Sequence, residues 1–289
     1  MSVVFLHGAH GAVGVSVQGH LTNLLESGQV TEVLAPHAQH SKAEWVAAAM
    51  MERADVMVLC LPDAAAIEAV QLAREVNPDL CILDASAAHR CAAGWVYGLT
   101  ELATPDDLVA AQYVANPGCF ATGCILLARP LAELLGDTPM CFQGVTGYTA
   151  AGKRGVLRAE HPSLVQFGKP HRHLPEIARY GRVTPILTTT LASWPQGMLV
   201  QSTLMHPVEE DFSRLASAYA GRGDVTVRRA GDEAGYALDI SENVQTMRVS
   251  LLVAEQAPGV TSVAAAYDNL GKGAAGSIAR NVRWMLGGA

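Results

Sequence analysis

The chain has 289 residues, half of them hydrophobic and only 16% charged, enough apolar material for two domains or one large α/β unit. A formal net charge of −7 argues against nucleic acid as a partner, because phosphate backbones call for a basic face. The six cysteines form no C-x-x-C pair, no signal-peptide pattern opens the chain, and no apolar run reaches the roughly 20 residues that span a bilayer, so a cytoplasmic protein with reduced thiols and no membrane partner is expected.

"SVVFLHGAHGAVG" runs from a short apolar strand into Gly8, Gly11 and Gly14, and a helical stretch from Val15 to Leu25 follows. Strand, glycine turn and helix in that order suit a phosphate-cradling loop, with Gly8, Gly11, Ala12, Val13 and Gly14 as the candidate contacts. A plain loop is the competing reading. The second strand, Glu32 to Ala35, has no carboxylate at its end to bind a ribose 2′-hydroxyl and is followed by "PHAQHSK". Ser41 and Lys42 there can accept a 2′-phosphate, which favours NADP(H), or can belong to a solvated polar loop.

"ADVMVLCLPDAAAIEAV" and "DLCILDASAAHR" each read as a buried strand, the first followed by a helix. The alternation predicts a Rossmann-type doubly wound parallel sheet, whose ligands gather at the carboxyl ends of the strands. Ser86 and Arg90 lie just past such an end, as contacts for cofactor or anionic substrate, with a surface cation as the alternative for Arg90.

"VANPGCFATG" carries a turn at Asn116-Pro117-Gly118 that launches a helix with Cys119 in its first turn. A helix start favours thiolate over thiol, so Cys119 is a candidate nucleophile, against the reading of a cysteine packed as a small hydrophobe. Beyond it, "MCFQGVTGY", "VTPILTTTLA", "GMLVQSTLMHPV", "VTVRR" and "MRVSLLVAE" predict an α+β domain with a mostly antiparallel sheet. Lys153 and Arg154 sit in a glycine-flanked loop, as an anion clamp or a solvated turn. "KPHRHLPEI" places His171 and His173 at i and i+2, expected to point the same way from extended backbone just before a helix entered through Pro175. No third ligand stands at metal spacing, so no metal is expected. The last segment, "YDNLGKGAAGSIARNVRWML", is read as a loop and helix returning to the first domain, with Asn269 near the cofactor. The expected domains are 1–118 with 268–289 for the cofactor, and 119–267 for catalysis and oligomerisation.

"GAHGAVG", "CLPDAAAIEAV", "DASAAHR", "NPGCFATG", "GYTAAGK", "HRHLPEI", "QGML" and "DNLGKGAAGSIARN", in this order, resemble the short form of the N-acetyl-gamma-glutamyl-phosphate reductase family. The resemblance implies NADPH-dependent reduction of an acyl phosphate to an aldehyde in arginine biosynthesis, by a homo-oligomer (dimer or tetramer) similar in fold to aspartate-semialdehyde dehydrogenases. It implies that Cys119 is the nucleophile forming a thioester, that His171 or His173 is the acid/base with His171 favoured, and that Arg90 contacts substrate. Asn116, Lys153 and Arg154 complete the expected substrate contacts. "GYTAAGK" stands where the short form usually has "GYSGGGK". The competing functions are reduction of aspartyl or aminoadipyl phosphate, and a non-catalytic dinucleotide sensor.

Overall fold

A computed structural model describes residues 2–41, 43–151, 160–230 and 240–288. The chain divides into two compact units, Met1–Gly118 with Ala274–Ala289, and Cys119–Gly273.

The first unit is a doubly wound sheet. β1 (Val3–His7), β2 (Glu32–Leu34), β3 (Val56–Leu59), β4 (Cys81–Asp84), β5 (Val96–Tyr97) and β6 (Tyr113–Ala115) are all parallel, in the order β2-β1-β3-β4-β6-β5 among the described residues. Its two faces follow from strand alternation. Val4 and Leu6 of β1 pack with Val17 and Leu21 of α1 (Ala12–Glu26) and with Ile278 and Val282 of the last helix, Gly276–Met285. Phe5 points the other way, into a core made with Met51 of α2 (Glu44–Arg53) and Ala66, Ala69 and Val70 of α3 (Asp63–Val76). A short α4 (Pro105–Val109) is capped by Thr104 in a capping box with Asp107.

The second unit holds a mixed sheet, ordered β11-β12-β13-β10-β7-β9-β8 among the described residues. Its strands are β7 (Met140–Thr146), β8 (Ser163–Val165), β9 (Pro185–Leu191), β10 (Met198–Leu204), β11 (Val225–Arg229), β12 (Val249–Ala257) and β13 (Val260–Tyr267). Pairing is antiparallel except for β7 with β9 and β11 with β12. α5 (Cys119–Leu135), α6 (Leu174–Gly181) and α7 (Val208–Ala218) pack on it. α7 corrects the expectation of strand running through "MHPV". β10 stops at Leu204, and Pro207 with Glu209, Glu210 and Asp211 in the first turn starts a helix instead.

α5 is buried along most of its length and contains Pro130. A proline has no N–H to give the carbonyl four residues back, here Leu126. The Tyr219 hydroxyl donates to that carbonyl at 2.7 Å. The sheet face away from α5 is open: Cys141, Gln143, Ile186, Thr188, Gln201 and Thr203 are exposed on it, and their registers place them side by side. Among the described residues no helix is long and apolar enough to cross a membrane.

Candidate active site

In the first unit the glycine turn is built by close approach. Gly8 has a φ of +95°, and a Cβ at Gly14 would overlap the Gly8 carbonyl and the Ala9 backbone. The Gly11 N–H donates to the Gly8 carbonyl at 3.1 Å, and Gly11 begins α1 without a side-chain cap. The first-turn amides at Ala12, Val13 and Gly14 thus keep no side-chain acceptor, as a pyrophosphate cradle requires. Beside β1, a cavity of about 450 Å³ is lined by His7, Ser41, Glu44, Leu61 and Pro62. Burial lowers the His7 pKa, which keeps that ring neutral. The Ser41 hydroxyl donates to the Ala38 carbonyl at 2.9 Å at the mouth of this region, and Lys42 lies outside the described residues.

The carboxyl end of β4 is a braced loop. Asp84 is fully buried and accepts from the Ser86 amide and hydroxyl at 2.8 and 2.7 Å, with His89 Nδ1 at 2.6 Å. The Ser86 hydroxyl also accepts from the Ala88 amide, so it supports the loop where a cofactor contact was expected. Arg90 is buried, not a solvated cation: its Nε donates to the Asn116 carbonyl at 3.0 Å and an Nη to the Ala85 carbonyl at 3.1 Å. Asn116, expected at the substrate, is also buried. Its side chain donates to the Pro117 carbonyl and accepts from Asn281, fixing the turn ahead of Cys119.

In the second unit, α5 begins at Cys119, which borders a cavity of about 360 Å³. Phe120, Thr146, Gln166, His171, Arg172, His173 and Leu191 also line it. The histidines do not come from extended backbone. His173 is helical (φ −87°, ψ −8°) and caps α6, so a turn folds the two rings into edge contact at 4.5 Å. The His173 N–H donates to His171 Nδ1 at 3.1 Å, which leaves the neutral His171 ring carrying its proton on Nε2. Phe120 packs edge-on to His171 at 5.8 Å. Asn269, expected near the cofactor, belongs to the second unit: its Oδ1 accepts from the Gly197 amide and its Nδ2 donates to Thr149. Lys153 and Arg154 lie outside the described residues.

Sequence reading missed Thr146, Gln166 and Leu191, which reach the cavity from strand ends and a turn. Gln166 alone carried a signal, visible only in three dimensions: a non-glycine residue at φ +54°. Among the described residues no cluster of His, Cys, Asp or Glu is arranged to hold a metal.

Residues 119–269 match the family described as semialdehyde dehydrogenase, dimerisation domain. The N-acetyl-gamma-glutamyl-phosphate reductases of Brucella ovis and Brucella anthropi are 33% and 34% identical to this chain, each over 98% of it and 98% of their own length. Among solved structures the chain is similar to aspartate semialdehyde dehydrogenase II from Vibrio cholerae complexed with ASA (12% identity, TM-score 0.71). It is also similar to aspartate semialdehyde dehydrogenase with NADP from Candida albicans (13% identity, TM-score 0.69). Each of these covers 99% of this chain and 98% of the other, and at such identity the likeness is one of fold. With the glycine turn, the helix-start cysteine and the paired histidines on one chain, and reductases matched end to end at a third identity, the chain belongs to the N-acetyl-gamma-glutamyl-phosphate reductase family.

Proposed function

We propose that this protein reduces N-acetyl-gamma-glutamyl phosphate to N-acetylglutamate 5-semialdehyde with NADPH, releasing phosphate, as a step of arginine biosynthesis. The observation that carries the reading is Cys119 at the first residue of α5, in one cavity with His171 and His173. The amides of Ala12 to Gly14 would hold the cofactor pyrophosphate, and the cavity beside Ser41 would take the adenosine end. NADPH supplies the hydride that reduces the acyl group.

Cys119 attacks the acyl-phosphate carbonyl as thiolate, and phosphate departs to leave a thioester. The one proton consumed goes to the bridging oxygen of that phosphate, and the two imidazoles are the cavity groups that carry protons near neutral pH. His171, held through Nδ1, directs its Nε2–H as an oriented hydrogen-bond donor to that oxygen and keeps this proton. The proton consumed is given up by a protonated His173, edge-on beside it. Amides of the first turn of α5 stabilise the tetrahedral oxyanion. After reduction, Cys119 leaves the hemithioacetal as thiolate and needs no proton. Arg90, buried and charged, pairs with a substrate anion while bracing Asn116.

The protein works as a homo-oligomer. The open sheet face is uncharged across β7, β9 and β10, the composition of a surface that another copy covers.

The test is phosphate-dependent reduction of NADP⁺ with N-acetylglutamate semialdehyde. Turnover with this aldehyde, and much less with aspartate semialdehyde, is the expected result. Preference for aspartate semialdehyde would overturn the substrate, and cofactor binding without turnover would point to a sensor.

A further inference from the structure

An α-helix ordinarily joins the carbonyl of its first residue to the amide four residues on. In α5 a phenol bridges those two groups. The Tyr267 hydroxyl donates to the Cys119 carbonyl at 2.7 Å and accepts from the Gly123 N–H at 3.1 Å. Tyr267 is fully buried at the end of β13. Gly123 makes the approach possible, since a Cβ there would stand 2.7 Å from both the hydroxyl oxygen and Cε1 of the ring. A glycine in mid-helix otherwise weakens the helix, so this one has a packing reason.

The chain that follows Tyr267 holds the same turn from a second side. A Cβ at Gly273 would fall 3.2 Å from Cys119 Cβ, so the main chain lies directly on the cysteine. The Gly273 N–H donates to the Asp268 carbonyl at 2.8 Å. The Asp268 carboxylate is itself anchored, accepting from Gln196 Nε2 at 2.8 Å and from the Gln245 and Leu270 amides at 2.7 and 2.9 Å.

We propose that Tyr267 is a positioning residue for Cys119, its hydroxyl fixing the first turn of α5 so that the amides there stay directed at the sulfur and at the oxyanion forming beside it. The proposal rests on the reading of Cys119 as nucleophile. The amides of Phe120 and Ala121 lie in the first turn of α5, ahead of the first intrahelical bond, so their aim depends on what holds the turn. A hydrogen bond weakens steeply with misalignment. Donation to the Cys119 carbonyl also polarises the peptide that ends in the Phe120 N–H. Burial first, then the nearby Cys124 and Cys119, raises the phenol pKa well above its ordinary value, so the bridge is neutral and adds no charge against a thiolate.

The experiment is site-resolved alkylation of the full chain by iodoacetamide from about pH 5 to about pH 10, on the unaltered protein and on Tyr267→Phe, with kcat and KM from the phosphate-dependent assay. The apparent pKa of Cys119 labelling should rise by about one unit in Tyr267→Phe. Its kcat should fall about tenfold while KM stays within about twofold. Gly123→Ala, which keeps the hydroxyl but crowds it, should move the labelling profile in the same direction. A Tyr267→Phe protein that labels along the unaltered profile with kcat within about twofold overturns the proposal, even if its Tm falls. Failure of the nucleophile reading shows separately, as turnover retained in Cys119→Ser.

Discussion

Burial sets Cys60 and Cys124 apart from the other thiols. Burial, then the charge of Asp84, pushes the Cys60 pKa up to about 12, and burial with Glu176 and Cys119 raises Cys124 well above the usual range. A raised thiol pKa means the neutral form persists through neutral pH, so iodoacetamide near pH 7 should spare both while modification of Cys119 tracks inactivation. Cys119→Ser should fold yet lose on the order of 10³-fold or more in kcat. Cys124→Ala should cost about 1 kcal/mol of stability in urea unfolding and keep its turnover. Turnover in Cys119→Ser near the unaltered rate would defeat the mechanism. Arg90→Ala removes two bonds to buried carbonyls and a charge, so kcat/KM should drop about 10- to 100-fold. Kinetics equal to those of the unaltered protein would leave Arg90 a loop brace alone. Cys119, His171 and His173 were legible because glycine-proline and histidine patterns sit within short windows. Tyr267 was not, because it meets Cys119 from 148 residues away.

At the scale of elements, alternation and glycine turns made the parallel sheet readable: β1, β3 and β4 are short apolar runs with turn signals behind them. Where side chains supply what the backbone lacks, the reading failed. The turn at His171–His173 depends on a bond from the His173 amide to a ring nitrogen, and α7 depends on acidic residues at a proline stop. α5 shows the same dependence. Pro130 leaves the Leu126 carbonyl without its helical donor, and only the folded chain brings Tyr219 to it. Tyr219→Phe should therefore destabilise by about 1–3 kcal/mol in urea unfolding, since a buried acceptor loses its partner. Its kcat should stay unchanged, because Tyr219 acts on the helix well past Cys119. An unaltered unfolding midpoint would show that another group satisfies that carbonyl.

For the whole molecule, the open sheet face is the proposed surface of self-association. Gln201 donates to Gln143 across the strands at its centre, an exposed pair with no charge nearby on β7 or β10. Gln201→Lys puts an unpaired charge into any pairing of copies through this face and should shift the assembly to monomers in sedimentation velocity. An unchanged sedimentation coefficient would move the interface elsewhere. The same face carries Cys141, exposed by the two-residue alternation of β7. In the proposed assembly that thiol is a built-in gauge of association: covered when copies meet through this face and open when they part, it should modify faster as the protein is diluted. The concentration at half-protection then reads out the affinity of the subunits for one another, from a thiol the chain already carries and with modification of Cys119 followed in the same sample.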